Sequence, residues 1–277
     1  VYTPENLGLA HAGEWIPLLP IWRQGPLGVA MFFVLSGFLI TRIYFEPMVR
    51  GEVSLRLFFV KRVARIWPLF LVFAVVQHVG LVLQGAAEPG ADFLVTLSMT
   101  QGFFAELRYE GLPTAWSLTI EECFYALAPL AFVVLGRLVP ERFGPRDRLD
   151  WRLFWKYVGA LALVTVVMLG LGEALVRLVT WRQWDWYGFM DSRFHVRNAT
   201  IFGRFPEFAM GMLAAFVHRG VDLPGLLRGW RAPALVVASF LAIAACMVAR
   251  DWVMAVPDRL PHAVSAALHY AVAAWTT

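Results

Sequence analysis

The sequence predicts an all-α fold: a polytopic transmembrane helix bundle with about seven spans in this chain and one interfacial or re-entrant helix. Hydrophobic residues make up 59% of the 277 residues and charged residues only 16%, which is too apolar for a soluble domain of this size. The apolar residues gather in runs of roughly the 17 to 25 residues that a membrane span needs. Most Lys and Arg residues lie between those runs.

Seven apolar runs are long enough to cross about 30 Å of hydrocarbon, and we expect a helix in each. In chain order they cover residues 25–43, 66–84, 115–136, 157–178, 201–218, 232–249 and 261–277. The apolar run at 92–104 is too short to span, so it predicts the interfacial or re-entrant helix.

Orientation follows from the basic residues in the connections, because cytoplasmic loops carry the excess of Lys and Arg. Residues 42–65 and 137–156 hold six basic residues each, whereas 85–114 holds only Arg108. We therefore expect the first two segments to face the cytoplasm and the third to face outward. Arg62 and Arg65 are then predicted near the inner face and Glu121 near the outer face.

The net charge of +4 does not indicate nucleic-acid binding, because the basic residues flank apolar runs where lipid head groups account for them. Cys123 and Cys246 both lie inside apolar runs and predict no disulfide framework. Four aromatic residues of one connection fit an interfacial aromatic belt: Trp181, Trp184, Trp186 and Tyr187. A sugar-stacking surface is the alternative interpretation.

Two adjacent carboxylates, Glu121 and Glu122, open an otherwise apolar run in WSLTIEECFY. A structural interpretation is a capping box, with Thr119 as N-cap and Glu122 three residues later. It leaves Glu121 unexplained, and an ionisable group at membrane depth is by default a functional candidate. Ser117, Glu121 and Tyr125 recur every four residues, which predicts a polar stripe on one helix face.

Arg62 and Arg65 are three residues apart in KRVARIWPLF, so a helix would place both on one face. Two guanidinium groups at that spacing suit a phosphate or pyrophosphate better than lysines would. The alternative is a pair of anchors that reach toward the lipid head groups and obey the positive-inside rule.

Three ordered segments, GVAMFFVLSGFLITRIYF, KRVARIWPLF and WSLTIEECFY, resemble the membrane acyltransferase family 3, whose O-acetylases modify bacterial surface glycans. A later segment, RFPEFAMGMLAAF, resembles another part of that family. The resemblance implies an integral protein of the bacterial inner (plasma) membrane. It also implies transfer of an acetyl or similar short acyl group from acyl-CoA to a hydroxyl of a cell-surface polysaccharide or lipid-linked sugar.

The resemblance assigns roles residue by residue. Arg62 and Arg65 match the family's Arg-x-x-Arg, for the phosphates of the donor, and Glu121 and Glu122 match its paired acids. The family's first helix, which carries a catalytic His, is not seen before Gly25, so the base is either His11 or a residue upstream of Val1. Six further residues in the matching segments are candidate substrate contacts: Ser36, Trp116, Ser117, Tyr125, Arg204 and Glu207.

The expected chemistry is direct acyl transfer without a metal. A His base takes the proton of the acceptor hydroxyl, and the oxygen attacks the thioester carbonyl as the CoA thiolate leaves. Glu121 or Glu122 orients that His, as carboxylates do in catalytic triads, or binds the acceptor. With arginines and acids at opposite faces, an extended CoA arm or a moving acyl group has to bridge the bilayer.

We expect residues 1–277 to form one integral-membrane acyltransferase domain that lacks the family's first helix and its C-terminal helices. A transporter or flippase of an anionic or glycolipid substrate is the rival interpretation, with Glu121 as a proton relay. No inverted repeat is visible in the sequence to support it.

Overall fold

The structure is a computed structural model that describes residues 25–85, 90–109, 112, 114–138, 151–184 and 186–220. These residues are helical, apart from the connections and one isolated β-bridge between Phe104 and Phe189. The helices, in chain order, are α1 (Gly25–Val49), α2 (Leu55–Leu83), α3 (Ala91–Leu97), α4 (Trp116–Leu138), α5 (Trp151–Arg182), α6 (Arg193–Ala199) and α7 (Ile201–Gly220), with a 3-10 turn at Gln101–Phe103 between α3 and α4.

Five helical segments in the described ranges are long and apolar enough to cross a membrane: Gly28–Val49, Leu55–Leu83, Trp116–Arg137, Trp151–Arg182 and Arg193–Arg219. The first five predicted spans overlap them in order, so the all-helical fold is confirmed for this part of the chain. The spans predicted at 232–249 and 261–277 lie outside the described residues. The run at 92–104 forms the short helix α3 and the 3-10 turn, both far too short to span.

Helix boundaries differ from the prediction in an informative way. Helix α1 runs six residues past Ile43, and α2 begins at Leu55 instead of residue 66. The hydropathy pattern ends at charged residues, whereas backbone hydrogen bonding continues through them. The predicted basic connection at 42–65 is therefore wrong, since only 50–54 separate the two helices.

The core of the bundle is aromatic and joins α1, α4 and α7. Phe208 stacks on Phe124 with ring centroids 4.2 Å apart and on Phe33 at 4.8 Å. Gly37 lies against the backbone of Phe208, and a Cβ added there would collide with that residue's carbonyl. Close backbone approach through small residues is how membrane helices commonly pack. Helix α2 instead exposes most of its apolar side chains, as a lipid-facing helix does.

Candidate active site

Glu121 lies inside the bundle, in the second turn of α4, with 4% of its surface exposed. Its Oε1 accepts a hydrogen bond from Ser36 Oγ of α1 at 2.7 Å and another from the Tyr125 hydroxyl one turn further along α4. Hydrogen bonds to a charged acceptor are stronger than neutral ones. The carboxylate is therefore fixed between two helices by two hydroxyl groups.

Arg62 of α2 is buried beside Tyr125, which is bound to Glu121. One of its terminal nitrogens donates to the Tyr44 hydroxyl at 3.1 Å. Its guanidinium carbon lies 5.2 Å from the ring centroid of Tyr44, 5.8 Å from that of Phe58 and 5.4 Å from that of Tyr125. Tyr125 thus contacts both Arg62 and Glu121, and three helices contribute to one polar cluster at membrane depth.

The predicted separation of Arg62 and Arg65 from Glu121 across the bilayer is wrong. Tyr125 contacts both Arg62 and Glu121, and Arg65 lies one turn further along α2. The reason is the early start of α2, which places Arg62 about 10 Å into the helix, at 1.5 Å per residue. From there a long side chain reaches the level of Tyr125. Arg65 itself is exposed on the surface of α2.

Glu122 differs from its neighbour. It is half-buried, and its Oε1 has no hydrogen-bond partner among the described residues. The predicted capping box is wrong, because α4 begins at Trp116 and Thr119 lies inside the helix. Thr119 Oγ1 instead accepts from the backbone N–H of Gly102 at 3.2 Å. Nothing in the helix terminus therefore accounts for Glu122.

The predicted stripe holds for Glu121 and Tyr125 but not for Ser117. Ser117 Oγ donates to the Thr114 carbonyl at 2.8 Å, so this hydroxyl is bound to the backbone just before α4. Trp116 is half-buried and packs against the aromatic core. The serine that contacts Glu121 is Ser36 of α1 and not Ser117.

Arg204 and Glu207 form a second polar pair, on α7. Their side chains meet at 3.0 Å and are only 11% and 19% exposed. The Arg204 guanidinium carbon lies 5.6 Å from the ring centroid of Phe33. Arg204 Nε and Glu207 Oε2 have no hydrogen-bond partner in the described part of the chain. The pair therefore keeps one donor and one acceptor available to a ligand.

His11 lies outside the described residues, so the structure does not place the predicted base. Sequence reasoning missed Tyr44, which lies eight residues after Ser36 and therefore on the same face of α1. That spacing was the available signal. Searched over the described residues alone, the chain brings no three His, Cys, Asp or Glu side chains together in a way that could hold a metal ion.

Comparison with known proteins supports the resemblance. Residues 7–275 match the family model described as an acyltransferase domain. The O-acetyltransferase OatA of Staphylococcus aureus is 32% identical over 164 residues, which cover 54% of this chain and 25% of OatA. Nodulation protein 10 of Rhizobium leguminosarum bv. viciae is 27% identical over 264 residues, covering 84% of this chain and 63% of that protein.

This chain thus spans only about a quarter of the length of OatA. No solved structure matches it. The family match, by contrast, covers nearly the whole sequence and includes every candidate site residue named above. The chain belongs to the membrane acyltransferase family 3.

Proposed function

We propose that this protein transfers an acetyl or similar short acyl group from acyl-CoA to a hydroxyl of a cell-surface polysaccharide or lipid-linked sugar. The observation that carries the proposal is the buried cluster in which Arg62, Tyr125 and Glu121 are in contact. A cation and a carboxylate at membrane depth are costly and mark functional sites. Here they lie together inside a chain of an acyltransferase family.

The two carboxylates have different tasks in this proposal. Glu121 already accepts two hydrogen bonds, so it fixes the cluster, and Ser36 and Tyr125 act by positioning it. Glu122 keeps an unpartnered oxygen in the field of Arg62. That oxygen is available to orient the imidazole of the base, for which His11 is the candidate in this chain.

In the reaction, the base takes the proton of the acceptor hydroxyl, and the new C–O bond forms as the C–S bond of the thioester breaks. The CoA thiolate is the leaving group. Arg62 and Arg65 hold the phosphates of the donor. Arg62 fits this task because it gives one N–H to Tyr44 while its Nε has no described partner. The unpaired N–H is available for a charge-assisted hydrogen bond to an anion.

The shared contact of Arg62 and Glu121 with Tyr125 simplifies the route of the acyl group. The donor arginine and the acids occupy one site, so transfer does not require an acyl group that moves between two faces of the bilayer. On the acceptor side we propose Trp116, Ser117 and the Arg204–Glu207 pair as contacts of the sugar. The pair is the best suited of these, with an unpaired donor and acceptor.

The same proposal extends to the domain organisation of the protein and to the membrane that holds it. We propose that residues 1–277 form one acyltransferase domain with seven spans, placed in the inner membrane of a bacterium. The family match over residues 7–275 supports a single domain, and the apolar runs at 232–249 and 261–277 support the last two spans.

The experiment uses the full chain reconstituted in lipid vesicles with radiolabelled acetyl-CoA. We expect wild type to release CoA thiol. The rate of release should fall about 100-fold or more in Glu122→Gln, because orienting a general base contributes on that scale. Glu52→Gln is the matched control, since Glu52 is exposed in the connection after α1. Movement of labelled compound across the vesicle membrane without thiol release would instead favour the transporter interpretation.

A further inference from the structure

Two connections form a small platform over the start of α4, which we call the loop platform and define as residues 98–109 together with 186–192. Backbone hydrogen bonds join its two halves. The Met190 N–H donates to the Phe103 carbonyl at 3.0 Å, and the Ala105 N–H donates to the Gly188 carbonyl at 3.1 Å. The connection that precedes α4 is thereby held against the connection that precedes α6.

The platform backbone is strained. Four non-glycine residues of the described chain have positive φ, and three of them lie in the platform: Met99 at 54°, Tyr187 at 49° and Met190 at 46°. Non-glycine residues in this region carry a conformational cost and persist where the surrounding structure holds them in place. The loop platform therefore has a defined conformation that presents particular side chains.

Two buried polar side chains of this region lack partners. Gln101, in the 3-10 turn, is fully buried, and neither its Oε1 nor its Nε2 has a hydrogen-bond partner within the described ranges. His195, in α6, is 2% exposed, and its ring faces the backbone of Gly102 and Phe103. Its Nε2 also has no described partner. Buried polar atoms are nearly always paired, so we expect a ligand or a water molecule at the Gln101 Oε1, Gln101 Nε2 and His195 Nε2 atoms.

The loop platform contacts the face of α4 that carries Glu122. Gly102, the residue after Gln101, donates its N–H to Thr119 of α4. Glu122 is three residues further along the same helix, and residues three apart lie on one helix face. A group bound at Gln101 and His195 would therefore be next to the site of acyl transfer.

We propose that Gln101 and His195 form the hydroxyl-binding subsite for the acceptor, and this inference rests on the proposed acyltransferase activity. The chemistry of the unpaired atoms selects the ligand. The Gln101 amide offers both an acceptor and donors, and the His195 nitrogen is a further polar atom. A hydroxyl both donates and accepts, so hydroxyl groups can pair with all three atoms. A phosphate or carboxylate only accepts and would leave Gln101 Oε1 unpaired.

The test measures how the reconstituted full chain divides acetyl groups between glycerol and water. Glycerol is the probe because it is the simplest neutral polyol. For wild type we expect acetylglycerol to form alongside hydrolysis. Gln101→Leu and His195→Gln should each lower the ratio of acetylglycerol to acetate by about 3- to 10-fold, the effect of one lost hydrogen bond. His218→Gln is the matched control, since His218 packs on Phe38 at the other end of α7.

Thermal stability separates binding from a structural role. An apolar side chain in place of an unpaired buried amide removes a desolvation cost, so Gln101→Leu should unfold at the same temperature as wild type or higher. A lower unfolding temperature with an unchanged product ratio would mean that Gln101 is structural, paired with internal water, and would overturn the inference.

Three further outcomes are decisive. Unchanged product ratios in both variants contradict the subsite, and so does a wild type that hydrolyses acetyl-CoA but forms no acetylglycerol. Equal loss of both products in His195→Gln would make His195 part of the acyl-transfer chemistry instead of an acceptor contact. A wild type that releases no CoA thiol at all contradicts the proposed function itself, which distinguishes the two failures.

Discussion

Glu121 and Glu122 are adjacent in the chain but differ in what each oxygen contacts. Glu121 is held by Ser36 and Tyr125, whereas the Oε1 of Glu122 has no described partner. In general, a carboxylate with two hydroxyl donors stabilises the fold around it. An unpartnered buried carboxylate oxygen is better explained by a ligand or a catalytic group. Substitution of Glu121 should therefore lower the stability of the fold, and substitution of Glu122 should lower turnover.

Glu121→Leu should destabilise the protein. The substitution leaves the Ser36 and Tyr125 hydroxyls without their acceptor. Leaving two buried hydroxyl groups unpaired costs about 2–6 kcal/mol, at about 1–3 kcal/mol for each group. The loss is measured as a lower unfolding temperature of the detergent-solubilised protein. Glu52→Leu, at an exposed site, is the control, and equal stability of the two variants would contradict the role given to Glu121.

The donor arginines give a second residue-scale prediction. Arg62→Ala combined with Arg65→Ala should weaken acetyl-CoA binding by at least about 10-fold, because two charge-assisted contacts to phosphate are lost. Lysine at both positions should restore binding only in part, since it lacks the bidentate fork. Binding is measured with labelled acetyl-CoA on reconstituted protein. Unchanged affinity in a folded double alanine variant would leave these arginines as topology anchors.

At the residue scale, sequence reasoning found part of the site. The four-residue spacing predicted that Tyr125 lies with Glu121, and the Arg-x-x-Arg spacing pointed to Arg62. It also placed Ser117 in the stripe, which is wrong. Spacing alone cannot show that a serine hydroxyl near a helix start is hydrogen-bonded to a backbone carbonyl. Gln101 and His195 could not be predicted, since their burial depends on two connections that are distant in sequence.

Among the helices, α1 and α7 approach each other closely at Gly37. Gly37→Ala should lower stability by about 1–3 kcal/mol, because the added Cβ collides with the Phe208 carbonyl and forces the two backbones apart. Gly170→Ala is the matched control on α5, where an added Cβ meets nothing within 4 Å. That variant should be neutral or slightly more stable, since alanine favours the helix.

The comparison is read from thermal unfolding of both variants under identical conditions. If Gly37→Ala were as stable as Gly170→Ala, the close approach of α1 and α7 would not be a feature of the folded protein.

The element scale also shows why the predicted boundaries were incomplete. Apolar runs located the helices, because a membrane span has to be apolar over its length. They could not locate the start of α2, where Arg56, Lys61 and Arg62 interrupt the apolar pattern without interrupting the helix. The same error separated the arginines from the acids in the prediction. Helix geometry brings them together once α2 begins at Leu55.

In the whole molecule, one site carries the proposed activity. Helices α1, α2 and α4 bring Ser36, Arg62 and Glu121 into one cluster, and the loop platform covers the start of α4. The family match and the buried charges favour the same interpretation by independent routes. Donor phosphates, carboxylates and acceptor hydroxyl would then meet within a single part of the bundle.

The most direct test of that claim is a double-mutant cycle of Arg62→Ala and Glu122→Gln, measured as kcat/KM for acetyl-CoA turnover by the reconstituted full chain. Groups that act in one site are strongly non-additive. We therefore predict that the double variant loses little more activity than the more damaging single variant. If the two losses multiply, the arginine and the carboxylate act independently, and the account of one shared acyl-transfer site is contradicted.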